Sequence, residues 1–327
     1  MLFPLVYFLV AFFIYILLYE YYKTNTRNKI AELDSLKNLE NTQFKFIPTS
    51  TNNRSINEIK TELLTNFYFN RIRIIFGIDF SASNEWQGRK TFNGQLLHKT
   101  NSNKIYNPYQ KAISELGLIF EDIFTSKVEY HCFGFGDETT KDYSFFPILG
   151  SGEEFNSYQR VLDAYLEKTK NVVLSGPTSF TPLIQQFISY GIHCRKDFTI
   201  LVILTDELKI SHADNSLVEL IYTLTNLPNI CLLVIGVGDG PWQRMSYEEH
   251  RLRELVFKKR SQKNKEFRHG IIDSNIVYDN FHFVDFNSII SKPDKNTNEN
   301  YLARAILTKL PTHLKQAFKN DANIANF

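Results

Sequence analysis

Arg71–Asn84, RIRIIFGIDFSASN, sets a run of β-branched and aromatic residues (Ile72, Ile74, Ile75, Phe76, Ile78) against three small oxygen-bearing side chains, Asp79, Ser81 and Ser83. An apolar run without polar alternation suits a strand covered on both faces, as in a parallel sheet. Open α/β sheets bind ligands beyond the carboxyl ends of their strands, so chemistry is expected where this run stops. One carboxylate and two hydroxyls at alternate positions do not make a nucleophilic triad, because no His or second acid lies in the loop to activate a serine. They suit a hard cation, which takes oxygen ligands.

Downstream, strand and helix signals alternate. After a long polar loop, Asn107–Ile123 reads as a helix, Lys127–Phe135 as a strand and Tyr143–Ile148 as a short edge strand. Phe155–Lys168 and Thr181–Ile192 read as amphipathic helices, Phe198–Thr205 as the most apolar strand and Leu217–Leu224 as a helix. Ile230–Val237 and Phe281–Phe286 complete the strands, and Asn57–Asn66 reads as a lead-in helix. This spacing predicts an α/β fold with a doubly wound, mostly parallel sheet and helices on both faces. In such a sheet Asp206, which ends Phe198–Thr205, and Thr178, in the loop Gly176-Pro177-Thr178, reach the same edge as Asp79, Ser81 and Ser83. Those five residues are the candidate metal ligands. Capping of the following helices is the competing role for Asp79 and Asp206.

Composition narrows the classes. With 43% hydrophobic and 22% charged residues in 327, the chain can fill a sizeable core and does not have the composition of a disordered protein. Thirty-seven basic residues against 35 acidic ones leave a formal charge of +2, which gives a nucleic-acid partner no support. Cys132, Cys194 and Cys231 are isolated in apolar surroundings and read as small buried hydrophobes. Gly236-x-Gly238-x-Gly240 follows a late strand and reads as turn geometry rather than a dinucleotide loop. The basic stretch Arg251–Arg268 reads as a solvated helix end and loop, with contact to anionic lipid as the alternative.

Met1–Tyr22 departs from this soluble pattern. Leu2–Tyr19 carries no charge, and a helix of that length would extend about 27 Å against a hydrocarbon core of about 30 Å. The segment is expected to be an uncleaved transmembrane anchor, with a cleaved signal peptide or a buried helix as alternatives. Lys23, Arg27, Lys29 and Lys37 follow it, which would place the C-terminal bulk in the cytoplasm. The expected division is an anchor at 1–22, a polar stalk at 23–55, the α/β domain at 56–292 and a helical extension at 293–327.

Several ordered motifs now point to a family. Asp79-x-Ser81-x-Ser83, the loop Thr178 and the strand-end Asp206 resemble the metal-ion-dependent adhesion site of von Willebrand factor A domains. More narrowly, Ile78–Asn84, Asn107-Pro108-Tyr109, Phe133–Gly136, Gly176–Phe180, Thr205-Asp206 and Gly236–Trp242 resemble the copine branch. Asn84-Glu85-Trp86 and Tyr278–Phe281 are shared with the copine-like domain of plant RING-type ubiquitin ligases. The resemblance implies a protein-binding module without catalysis, holding Mg²⁺ (or Mn²⁺ or Ca²⁺) whose coordination shell a partner's carboxylate completes. A component of a ubiquitin-ligase assembly, its catalytic RING supplied by another subunit, is the alternative, since no cysteine follows Cys231 to provide zinc ligands.

Overall fold

The computed structural model describes residues 71–100, 106–124, 128–148, 156–207, 215–227, 229–242 and 280–290, with scattered positions at 57–61, 247–259, 302 and 306. All of them belong to the second of two compact units, Arg54–Phe327. The deciding run becomes strand β1, Ile72–Asp79, buried along its whole length. A short 3₁₀ turn at Ala82–Glu85 follows, then α1 (Pro108–Phe124), β2 (Val128–Phe135), β3 (Phe146–Pro147), α2 (Tyr158–Thr169) and α3 (Thr181–His193). The second half runs β4 (Phe198–Thr205), α4 (Asn215–Leu224), β5 (Ile230–Gly236), β6 (Phe281–Asp285) and α5 (Phe286–Ile290).

These strands form one sheet in the order β3-β2-β1-β4-β5-β6. Only the edge pair β2–β3 is antiparallel. The chain builds outward from β1 to β2 and β3, then crosses back to lay β4, β5 and β6 on the other side. The topological switch point therefore lies between β1 and β4, where α/β sheets open a crevice.

Side-chain alternation divides the interior between the two faces. Ile74, Phe76 and Ile78 of β1, Ile200, Val202 and Leu204 of β4, and Leu233 and Ile235 of β5 pack with α1 and α2. The intervening Ile75, Leu201, Ile203, Leu232 and Val234 pack with α3 and α4. Both faces are thus covered, which is why the strands are continuous apolar runs. Leu302 and Ile306 are helical, buried, and join the first of these clusters.

Element limits differ from the expected ones where polar residues begin a helix or a turn shortens a strand. α4 starts at Asn215 rather than Leu217, because a polar first turn carries no apolar periodicity. The edge strand shrinks to Phe146–Pro147, since the amides of Tyr143 and Ser144 turn back to Thr140 O. Pro147 lacks the N–H a longer ladder would need. Cys132 and Cys231 are buried as expected, but Cys194 is only half-buried.

The expectation of a single-pass membrane protein is corrected. No helix among the described residues is long and apolar enough to cross a membrane, and Met1–Tyr22 lies outside those residues. A charge-free stretch fixes hydropathy, but a span also needs a continuous helix that satisfies every backbone group. The cytoplasmic assignment drawn from that span falls with it.

α1 and α2 meet at Gly117, where a Cβ would stand 2.2 Å from Tyr158 Cγ and 2.3 Å from Tyr158 Cβ. Those atoms lie close to the α2 backbone, so a side chain at 117 has to push the helices apart. Gly117→Val is expected to lower stability by about 2–3 kcal/mol through overpacking, read as a lower urea midpoint at unchanged m-value. An unchanged midpoint would mean that this crossing is loosely packed.

Candidate functional site

The sheet register assembles the site. Asp79, the last residue of β1, pairs with Phe135 of β2, and Ile78 pairs with Leu204 of β4. Asp79 is thereby flanked by Gly136 on one side and by Thr205 and Asp206 on the other. Thr205 Oγ1 donates to Asp79 Oδ2 at 2.5 Å, and Ser81 N donates to Asp79 Oδ1 at 2.8 Å. The loop after α2 docks on the same turn through a Ser81–Ser175 bridge, with Ala82 N donating to Ser175 O at 2.5 Å. Thr178 follows three residues later.

Gly136, at φ +81°, shows how closely these parts converge. A Cβ there would lie 2.5 Å from Thr178 Oγ1 and 3.3 Å from Asp79 Oδ1. The Thr178 hydroxyl and the Asp79 carboxylate therefore border one small space that only a glycine leaves open. Asp79 and Thr178 also line a small pocket with Ser179, Phe180, Thr181, Glu207 and Leu217. Ser81 Oγ and Ser83 Oγ stand 2.9 Å apart. Asp206 is 1% exposed. The Tyr109 hydroxyl is pushed well above its ordinary pKa by burial first, then by the charges of Asp79 and Asp206.

Beneath this cluster lies a buried polar layer. Asn84 Nδ2 donates to Ser81 O at 3.0 Å and Asp79 O at 3.2 Å, while the Tyr109 hydroxyl donates to Asn84 Oδ1 at 2.7 Å. His98 sits between the Phe80 and Tyr109 rings, at centroid distances of 4.6 and 4.1 Å. Burial pulls its pKa from 6.5 down to about 3, so the ring is neutral. Because a carbonyl can only accept, His98 Nε2–H donates to Asp79 O at 2.8 Å, leaving Nδ1 to accept from the Tyr165 hydroxyl, also at 2.8 Å. Asn107 Nδ2 then donates to Tyr165 Oη at 3.1 Å. Both ring nitrogens of His98 are thus engaged, and neither faces a serine as a base.

The donor set fits a hard cation. Thr178 Oγ1 is buried and has no hydrogen-bond partner among the described residues, and orphaned buried hydroxyls are rare in folded proteins. No group of three or more His, Cys, Asp or Glu among the described residues is placed to hold a metal, so a cation here would rest on hydroxyls as much as carboxylates. Sequence reasoning singled out Phe133–Gly136 and Thr205-Asp206 as motifs without giving Gly136 or Thr205 a part in the site, and it missed His98 and Tyr165. The hydroxyl of Thr205 directly precedes the strand-end acid, whereas His98 and Tyr165 carry no local signal.

The copine family profile matches residues 96–324. The chain is 32% identical to the E3 ubiquitin-protein ligase RGLG1 of Arabidopsis thaliana over 74% of its own length and 47% of that protein. It is 36% identical to Copine family protein 1 of Caenorhabditis elegans over 67% of its length and 17% of the relative. The chain thus spans about half or less of these curated relatives. Among solved structures it has loose similarity to the VWA domain of SpRpn10, with a TM-score of 0.41, 11% identity and coverage of 72% and 96% of the two chains. The manganese-loaded TRAP protein of Plasmodium vivax gives 0.36 at 15% identity, covering 67% and 70%.

The neutral His98 has a consequence for stability. Below pH 6.5 the unfolded chain takes up a proton that native His98 refuses until about pH 3, so stability present at neutral pH is lost as pH falls through this window. The slope from this group approaches about 1.4 kcal/mol per pH unit. His98→Phe keeps the ring stack and removes the titration. Denaturant unfolding between pH 7.5 and 5 should therefore show a shallower pH slope in the variant than in the wild type, and equal slopes would refute the neutral assignment.

Proposed function

The chain belongs to the copine family, and from that premise we propose that it is a protein-binding module holding its partner through a divalent cation at Asp79, Ser81, Ser83, Thr178 and Asp206. The observation that carries this is the buried, unpartnered Thr178 hydroxyl bordering the space it shares with the Asp79 carboxylate. Ser81, Ser83 and Thr178 offer neutral oxygens, and Asp79 and Asp206 offer charge directly or through water. A cation bound mainly by neutral oxygens stays electrophilic and draws in a carboxylate from outside, and Mg²⁺ or Mn²⁺ suits so small a donor set. His98, engaged at both nitrogens, is not placed to act as a base at this site. A second reading, membership of a ubiquitin-ligase assembly, is favoured by the 32% identity to the Arabidopsis ligase. It would use the same cation site to hold a subunit or substrate.

Linkage provides the test. Mn²⁺ at about 100 times its Kd should stabilise the chain by about 2.7 kcal/mol, seen as a raised thermal midpoint. Asp79→Ala should abolish that rise. Thr178→Ala should reduce it while leaving the metal-free midpoint within about 0.5 kcal/mol of wild type, because a loop hydroxyl adds little to the core. A chelator-treated wild type whose midpoint ignores millimolar Mn²⁺ and Mg²⁺ would refute the cation.

A further inference from the structure

We propose that Thr91 is a phosphorylation site for a protein kinase that reads basic residues ahead of its acceptor, and that phosphate there releases the loop 87–97 from the turn after β5. The inference does not rest on the cation reading. Arg89-Lys90-Thr91-Phe92 puts two cations directly before a hydroxyl and an aromatic ring directly after it, and charge patterns around the acceptor are what kinases discriminate between. Arg89, Lys90 and Thr91 are all exposed. Phe92 packs against the core on the α1 face, so it anchors the loop while the three residues before it stay accessible to an enzyme.

Thr91 is also where the loop is held. Its hydroxyl donates to Asp239 Oδ1 at 2.7 Å and its amide to the same oxygen at 2.8 Å, while Lys90 N donates to Asp239 Oδ2 at 2.9 Å. Burial would raise the Asp239 pKa, but the bonds from Lys90, Thr91 and Arg89 outweigh it and keep the carboxyl below its ordinary value, so it is ionised. In the transfer the bond from the γ-phosphorus of ATP to its bridging oxygen breaks and one to Thr91 Oγ1 forms; the hydroxyl proton passes to the base of the kinase, and ADP leaves. The ester oxygen then has no hydrogen to donate, and the phosphate sets a charge of about −1.5 to −2 beside a carboxylate. Both changes oppose the same contact. Arg89 and Lys90 belong to the loop and not to the turn after β5, so any pairing of theirs with the phosphate does not rejoin the two. The far end of the loop carries the effect toward the candidate site, where Leu97 N donates to Asn84 O at 3.0 Å and His98 Nε2 to Asp79 O at 2.8 Å.

The experiment treats the full chain with the catalytic subunit of a kinase selective for basic substrates, with ATP and Mg²⁺, and locates phosphate by tandem mass spectrometry. Phosphate should appear at Thr91, and replacing Arg89 and Lys90 together by Ala should prevent its incorporation there. Amide hydrogen exchange then reads the loop. In the phosphorylated chain the amides of Lys90, Thr91 and Leu97 should exchange at least about tenfold faster, the scale of losing a hydrogen bond to a charged group, while those of β4 keep their rates. Asp239→Asn removes the opposing charge, so phosphate should add little further acceleration in that variant. If Asp239→Asn does not fold, Thr91→Glu and Thr91→Val carry the test: both lose the hydroxyl, but only Glu adds charge and should speed exchange beyond Val. A chain that takes no phosphate at Thr91, or one phosphorylated there with these amides unchanged, overturns the proposal. So does equal acceleration by phosphate in Asp239→Asn, or equal exchange in the Glu and Val variants, because the Asp239 carboxylate would then have no part in the release.

Discussion

Asp79 is 1% exposed, and a carboxylate that deep needs donors from several directions, because an uncompensated buried charge is costly. The donors come from different parts of the chain. Its own loop supplies Ser81 N, and β4 supplies the Thr205 hydroxyl. The backbone carbonyl of the same residue is met by Asn84 from the 3₁₀ turn and by His98 from the loop before α1. Only a central strand can be reached by all of these at once. β1 is that strand, with β2 and β4 on either side, so the demand of one carboxylate explains why the cluster sits at the switch point.

The opposite end of the same strands carries a second buried charge set. Arg73 is 8% exposed; it pairs with Glu129 at 3.3 Å and Asp197 at 2.8 Å, joining the starts of β1, β2 and β4. Between the two ends these strands are mostly apolar, and an apolar parallel ladder slipped by two residues would still bury its side chains on the same faces. A slip would separate Arg73 from Glu129, its register partner, and Asp79 from Thr205. Leaving a buried charge without its partner costs about 3–5 kcal/mol. The polar ends therefore specify the register that the hydrophobic middle leaves open, and that register aligns the candidate ligands.

What could be read in the sequence follows from this division of labour. β1 and β4 are legible almost to the residue because double coverage makes them unbroken apolar runs, and β4 matches the expected Phe198–Thr205. Asp79, Ser81 and Ser83 are legible because alternate positions in one turn are local. Thr178 and Asp206 required the strand order, since nothing near them in sequence says that they approach Asp79. His98 and Tyr165 escape altogether: a buried polar residue has no periodicity, and their partners here lie far away in sequence. Met1–Tyr22, whose hydropathy raised the expectation of a span, lies outside the described residues, and no helix among those is long and apolar enough to cross a membrane.

The long polar loop after β1 shows how such hidden contacts do positional work. From composition, 87–97 is a solvated connection, yet the Asp239 carboxylate accepts from Lys90 N at 2.9 Å, Thr91 N at 2.8 Å and Thr91 Oγ1 at 2.7 Å. Burial alone would raise the Asp239 pKa, but these hydrogen bonds outweigh it and hold the carboxyl below its ordinary value, so it stays ionised and keeps accepting. Asp239 N closes the pairing by donating to Gln87 O at 2.7 Å. The turn after β5 thereby ties down a loop whose far end, through Leu97 N to Asn84 O at 3.0 Å, presents His98 to the Asp79 carbonyl. Position at the candidate site is thus transmitted from the ends of β1, β4 and β5 together, and a polar loop that looks dispensable in sequence supplies one of its fixed points.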